Sequence, residues 1–249
     1  MTVTKSQPES AAAGTALVLC KDAQTRQLII DSLQPLAIRP EICEEGLAAS
    51  SLLDNQKFEA VIVDLQLGDE ALLVLRQLRL SRANRTAVTF AITTGVQTSG
   101  RPDSTFVLQR PLLAASVNQT LRAAFGLVVR ERRRYFRCPV AVPALVRARQ
   151  PEDILCQTVN ISEGGIAITV PATLDSDFPA LVRFTLPDRT SQLFAETRVC
   201  WRSQDGLVGL EFQSLTAPQK SELQEWLARK LDETLPENVA ALFRGVGQS

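Results

Sequence analysis

The hydrophobic period changes near Pro139, and the two halves cannot share one kind of sheet. Ahead of it, short apolar runs alternate with helical patterns. Ala16–Cys20 reads as a buried strand. Leu28, Ile29 and Leu33 then recur at helical spacing until Pro35 stops the helix. A weaker strand at Ile38–Cys43 leads into an Ala/Leu/Ser helix from Glu45 to Asn55. Phe58–Asp64 is the clearest strand, followed by a helix marked by Ala71, Val74, Leu75 and Leu78. Ala87–Ile92 and Thr105–Leu108 supply two more strands. Leu113, Val117, Leu121, Ala124 and Phe125 line a final helix, and Gly126–Arg130 reads as a short junction. Strand–helix alternation with short connections predicts a doubly wound parallel five-stranded sheet covered on both faces.

Behind Pro139 the period is two. Val182, Phe184 and Leu186 alternate with Leu181, Arg183 and Thr185; Ala195, Thr197, Val199 and Trp201 alternate with polar neighbours; Leu210 and Phe212 do the same. Together with Val140–Arg149, Ile154–Asn160 and Gly165–Val170, this predicts six antiparallel strands closed into a small barrel. Pro143 points to an edge or bulge. A capping box at Thr216 and Gln219 opens a helix with Leu223, Trp226, Leu227 and Leu231 on its apolar stripe. Both tryptophans are assigned to core. The expected division is a disordered tail over 1–14, an α/β domain over 15–126, a barrel domain with its helix over 127–233, and a short helix and tail over 234–249.

Composition removes whole classes of chemistry. The chain has no histidine, so it lacks the commonest general base and metal ligand and every Ser-His or Cys-His pair. No paired-carboxylate or P-loop pattern replaces them, and no enzyme, metal site or cofactor is expected. The five cysteines are dispersed without a CxxC pair, which fits reduced, buried thiols in a cytoplasmic protein. Lys and Arg balance Asp and Glu, and no second basic patch is evident, so nucleic acid is not an expected partner. No apolar run approaches the ~20 residues of a membrane span, and no membrane insertion is expected.

Two short stretches carry candidate chemistry. Glu131–Pro139 contains Arg132, Arg133, Arg134 and Arg137; Asn160–Gly165 is a polar, glycine-bearing turn with Ser162, Gly164 and Gly165. Guanidinium forks donate in pairs to phosphate oxygens and to the O6/N7 edge of guanine. Bare glycines let a ligand come close to the backbone. Arg133 and Arg137 fit RxxxR, and Asn160, Ser162 and Gly165 fit (D/N)xSxxG. In this order, ahead of β-rich sequence, they resemble a PilZ domain over roughly 128–232. The resemblance implies a cyclic di-GMP site of Arg133, Arg137, Asn160, Ser162, Gly164 and Gly165, with Arg132 and Arg134 as helpers. Arg130 and Arg134 share the same spacing; Arg133 and Arg137 are preferred because Pro139 and the first barrel strand follow them. The structural alternative is an arginine-rich linker beside an ordinary turn.

The first half resembles a response-regulator receiver domain in its layout and in Asp64 at the end of the third strand. Such a domain needs an acidic pair after the first strand to hold magnesium. Cys20-Lys21-Asp22 stands there, and Arg110-Pro111 stands in place of Lys-Pro. Thr93 or Thr94 could fill the hydroxyl position. Asp64 is either a phosphoacceptor or a strand-end Asp bonding its own turn, and the eroded metal pair favours the second.

The expectation is therefore a cytoplasmic bacterial signalling protein that binds cyclic di-GMP through an arginine loop, changing its domain arrangement or its contact with an unidentified protein partner. A homodimer is compatible with it. The alternatives are a PilZ-fold interaction module that binds no nucleotide, and a regulator phosphorylated at Asp64.

Overall fold

The computed structural model describes residues 12–95, 105–147, 153–170, 180–235, 237 and 239–241. The chain divides into two compact units, 1–132 with 234–249, and 133–233.

In the first unit the elements run β1 (Gly14–Leu19), α1 (Ala23–Leu33), β2 (Ile38–Cys43), α2 (Gly46–Asn55), β3 (Ala60–Asp64), α3 (Asp69–Leu80), β4 (Val88–Thr93), β5 (Thr105–Gln109) and α4 (Ala114–Tyr135), whose last three residues belong to the second unit. The sheet order is β2-β1-β3-β4-β5, and every pair is parallel. All five residues of β3 are buried, the signature of a strand covered on both faces. Asp22 caps α1 by accepting from the Thr25 amide at 2.7 Å. Pro35 lies in the tight turn that follows α1. Buried Asn84 Oδ1 accepts from the Phe58 amide, and its Nδ2 donates to the carbonyls of Leu53 and Gln56, so this polar group inside the core is satisfied.

Two boundaries differ from the sequence expectation. Residues 1–11 of the expected tail lie outside the described residues, but Gly14 is a strand residue paired with Ile38. A Cβ there would lie 3.2 Å from Glu59 Cβ, so β1 runs close under its neighbours. Gly126–Arg130 is not a junction but the middle of α4. Val128 and Val129 continue the buried stripe of Leu121, Ala124 and Phe125. Glu131 extends it with a charge: its Oε1 accepts from Lys57 Nζ and Thr86 Oγ1, each at 2.5 Å. These contacts outweigh the ~1 kcal/mol cost of a mid-helix glycine. The arginine stretch is consequently helical as far as Tyr135, not a loop.

The second unit contains β6 (Arg137–Pro139), β7 (Pro143–Arg147), β8 (Ile154–Ser162), β9 (Gly165–Thr169), β10 (Ala180–Thr185), β11 (Gln192–Arg202), β12 (Leu207–Ser214) and α5 (Ala217–Thr234). Strands β7, β8, β9, β12, β11 and β10 pair in that cycle, all antiparallel, and β10 returns to β7 to close a six-stranded barrel. β6 is a short extra strand on the far end of β8. Pro139 and Pro143 lack amide donors, and buried Thr158 bridges the gap between them. Its hydroxyl donates to the Val140 carbonyl at 2.5 Å and accepts from the Val142 amide at 2.9 Å.

Val146, Ile161, Ile168, Val182, Phe184 and Leu193 fill the barrel, and Leu223, Trp226 and Leu227 of α5 pack on the same core. Trp226 Nε1 donates to the Pro187 carbonyl at 3.1 Å, which satisfies the polar end of a buried indole. Half of the capping box forms: Gln219 Oε1 accepts from the Thr216 amide at 3.2 Å and from the Thr216 hydroxyl at 2.9 Å. Beyond α5, Glu237 and Val239–Ala241 are helical; the tail from Arg244 lies outside the described residues. Trp201 departs from its core assignment and is 44% exposed. The β11–β12 register shifts between Val199 and Trp201, and that irregularity turns the indole outward.

Candidate functional site

A cleft of about 520 Å³ opens on the second unit. Its walls come from four places: the end of α4 with β6, the turn between β8 and β9, the facing parts of β11 and β12, and Lys220 of α5. β6 pairs Arg137 with Ser162, which brings one candidate arginine against the candidate turn. Arg134 and Tyr135 line the same space, with the Arg134 guanidinium 5.9 Å from the Tyr135 ring centroid.

The turn Ser162–Gly165 is rigid for identifiable reasons. Buried Ser162 donates its hydroxyl to the Gly165 carbonyl at 3.0 Å. The Gly164 carbonyl accepts from the Phe212 amide at 2.9 Å. At Gly165 a Cβ would sit 2.3 Å from the Leu210 carbonyl oxygen, so only glycine allows β9 to approach β12. Gly164 has open space where its Cβ would be, so sterics do not require glycine there.

The structure gathers Arg137, Ser162, Gly164, Gly165 and the helper Arg134 around the cleft. Arg133 and Asn160 are not among its walls. Arg133 faces α5, where its Nη2 lies 3.9 Å from Asp232 Oδ1. Arg132 reaches Glu59 within the first unit, at 3.6 Å. Asn160 pairs with Pro139 across the β6–β8 ladder, and its buried Oδ1 accepts no hydrogen bond among the described residues. Sequence reasoning missed Trp201, Glu211 and Lys220, which also line the cleft. Arg198 Nη2 lies 2.6 Å from Glu211 Oε2, and this bond holds the Glu211 carboxyl below its ordinary range. Only the β11 irregularity, invisible in an alternating pattern, distinguishes Trp201 from a core residue.

Asp64 sits at the end of β3 and is buried. Its Oδ2 is 2.5 Å from Arg110 Nη2 and 3.4 Å from Cys20 Sγ, and its Oδ1 accepts from the Gln66 amide at 3.1 Å. Arg110 also donates to Thr25 Oγ1 at 3.1 Å. Asp22 is committed to capping α1, and Lys21 pairs with Glu70. Thr93 bonds locally to Gly95. No group of three or more metal-ligating side chains occurs among the described residues. Both carboxylate oxygens of Asp64 are thus engaged, Oδ2 by the Arg110 guanidinium and Oδ1 by the Gln66 amide.

Residues 131–229 match the family model of the PilZ domain. The closed barrel with its C-terminal helix is consistent with that fold, and PilZ is a cyclic di-GMP-binding family. Solved structures with similar folds include the receiver domain of a sensor histidine kinase from Pseudomonas aeruginosa PAO1, at 19% identity, TM-score 0.41, over 46% of this chain and 99% of that one. The inhibitor of motility from Bacillus subtilis aligns at 24% identity, TM-score 0.35, over 40% of this chain and only 50% of its own. The PilZ domain of CeSA from a cellulose-synthesizing bacterium aligns at 21% identity, TM-score 0.31, over 37% of this chain and 94% of that one. No curated protein matches the chain.

Proposed function

We propose that the protein is a cytoplasmic cyclic di-GMP sensor whose PilZ-domain cleft binds the dinucleotide and passes the event to a protein partner. The observation that carries this reading is the convergence of Arg134, Arg137 and the Ser162–Gly165 turn on one cleft of about 520 Å³. The ligand has two phosphates and two guanines. Arg134 and Arg137 supply charge-assisted donors for phosphate oxygens and the O6/N7 edge. The turn lets a base lie against backbone, and the exposed Trp201 face offers a stacking surface. Arg133 joins this set by leaving Asp232, so occupation of the cleft changes a contact at the end of α5. This replaces the ordering of a loop, because Arg133 already lies in α4. The chain has no histidine to pair with a serine or cysteine nucleophile, which is in keeping with a regulatory reading.

Phosphorylation at Asp64 is disfavoured by the Arg110 ion pair and the missing acidic pair.

Calorimetric titration of cyclic di-GMP into the intact protein tests the proposal, beside Arg134→Ala, Arg137→Ala and Arg133→Ala. Each lost charge-assisted contact should weaken binding by about 1.5–3 kcal/mol. The reading fails if the folded parent binds nothing, or if all three variants bind as the parent does.

A further inference from the structure

Helix α3 presents two unlike faces. Ala71, Val74 and Leu78 are buried against the sheet. On the other side Leu72, Leu73 and Leu80 are 60%, 63% and 77% exposed. At helical spacing Leu73, Arg76 and Leu80 project within a sector of about 60°, opposite Leu78, with Leu72 and Arg79 flanking it. Arg82 and Arg85 follow in the turn after the helix, and all four arginines are exposed. None of their guanidinium groups forms an ion pair among the described residues. The balanced charge of the chain and the expectation of no second basic patch hold for the sequence as a whole; on the folded surface these arginines gather locally.

A single exposed leucine needs no explanation. Three on the outer face of one helix, interleaved with unpaired arginines, do. Complementing the helix dipole accounts for Arg79 in the last turn but not for the leucines.

We propose that the outer face of α3 attaches the protein peripherally to an anionic lipid bilayer. Leucine side chains enter the headgroup boundary, arginine stems lie along it, and guanidinium forks bind lipid phosphates. The shape decides between this and an acidic protein partner. The face is the convex outside of a helix, aliphatic and without an aromatic anchor or a pocket, whereas protein hot spots are Trp, Tyr and Arg side chains clustered in well-packed, desolvated pockets. A bilayer needs no complementary shape. None of the described helices is long and apolar enough to cross a membrane, so the attachment is interfacial. The inference is independent of the cleft in the second unit.

The test is flotation of the full chain with phosphatidylcholine vesicles, alone or with about one-third phosphatidylglycerol. The parent floats with the anionic vesicles and not with the neutral ones, and added salt releases it. Arg76→Gln/Arg79→Gln lowers the partition coefficient roughly 30-fold. Leu73→Gln/Leu80→Gln lowers it at least about tenfold. All four sites are exposed, and circular dichroism confirms that each variant is folded. Equal flotation with neutral vesicles, no flotation of the parent, or parent-like flotation of both variants overturns the proposal. So does a dimer, seen by sedimentation, that the leucine variant dissolves while the parent ignores vesicles; that result assigns the face to a second copy of the chain.

Discussion

Trp201 and Gly209 are fitted to each other across the β11–β12 ladder: a Cβ on residue 209 would lie 2.1 Å from Trp201 Nε1. The absent side chain is what lets the indole lie along the cleft wall. Gly209→Ala therefore pushes the indole away. Because Trp201 is 44% exposed, it can move into solvent, and the stability cost should stay near or below about 1 kcal/mol. The cleft suffers more. Loss of a stacking surface costs about 1–3 kcal/mol per base, so nucleotide affinity should fall roughly 5- to 150-fold while the melting temperature moves only a few degrees. Trp201→Phe keeps a ring and should bind better than Gly209→Ala. Equal affinities in parent and Gly209→Ala would remove Trp201 from the site.

Gly165 obeys the opposite logic. The atom that a Cβ would strike is the Leu210 carbonyl oxygen at 2.3 Å, part of a strand rather than the end of a flexible side chain. Gly165→Ala should destabilise the barrel by about 1–3 kcal/mol, read as a lower midpoint in urea. Gly164→Ala, with open space, should change stability little by comparison. If both alanine variants unfold at the parent midpoint, the close approach of β9 to β12 is not as described.

These pairs also show what could be read from the chain. The kind of sheet in each unit follows from period and spacing, because continuous apolar runs and strict alternation each favour one kind; the strand order and the short strand β6 come only from the structure. Trp201 continues the alternation of Ala195, Thr197 and Val199, and only a register shift in three dimensions sends it outward. The arginine spacing could not choose among Arg130, Arg133, Arg134 and Arg137, because the choice depends on helix phase. α4 runs on to Tyr135, which places Arg134 on the cleft and Arg133 toward Asp232. The leucines of α3 stay hidden in the sequence because helical spacing marks a buried face strongly and says little about the opposite one.

The Asp64–Arg110 pair should behave as a structural clasp. Arg110 Nη2 lies 2.5 Å from Asp64 Oδ2, and the side chains are 4% and 19% exposed for Asp64 and Arg110. Asp64→Asn leaves a mostly buried guanidinium without its counter-charge and should cost about 2–4 kcal/mol. Asp64→Asn with Arg110→Gln should recover part of that loss, since it removes both charges. Intact protein with acetyl phosphate and magnesium should gain no phosphoryl mass. Stable labelling at Asp64 would show that Arg110 yields to a phosphoryl group and would return the first unit to a phosphorylation-driven role.

The buried thiols predict an alkaline limit. Burial pushes the thiols of Cys20 and Cys156 up from 9.0 to about 11, and raises Cys43 and Cys138 in the same direction. A raised thiol keeps its proton longer in the folded chain than in the unfolded one. The unfolded chain therefore sheds protons first, and these groups stabilise the fold fully only below about pH 9. Their contribution should decline as pH rises from about 9 to about 11. Cys20→Ala/Cys156→Ala should flatten the decline, at the expense of two small cavities that lower stability at every pH. Chemical access should follow the same division, because Cys200 is exposed and the other four cysteines are buried. At neutral pH a water-soluble disulfide reagent should label Cys200 rapidly and the rest only on unfolding. Prompt reaction of a second thiol in the native protein would mean that one of the cores opens readily, and the pH profile of the matching alanine variant would identify which.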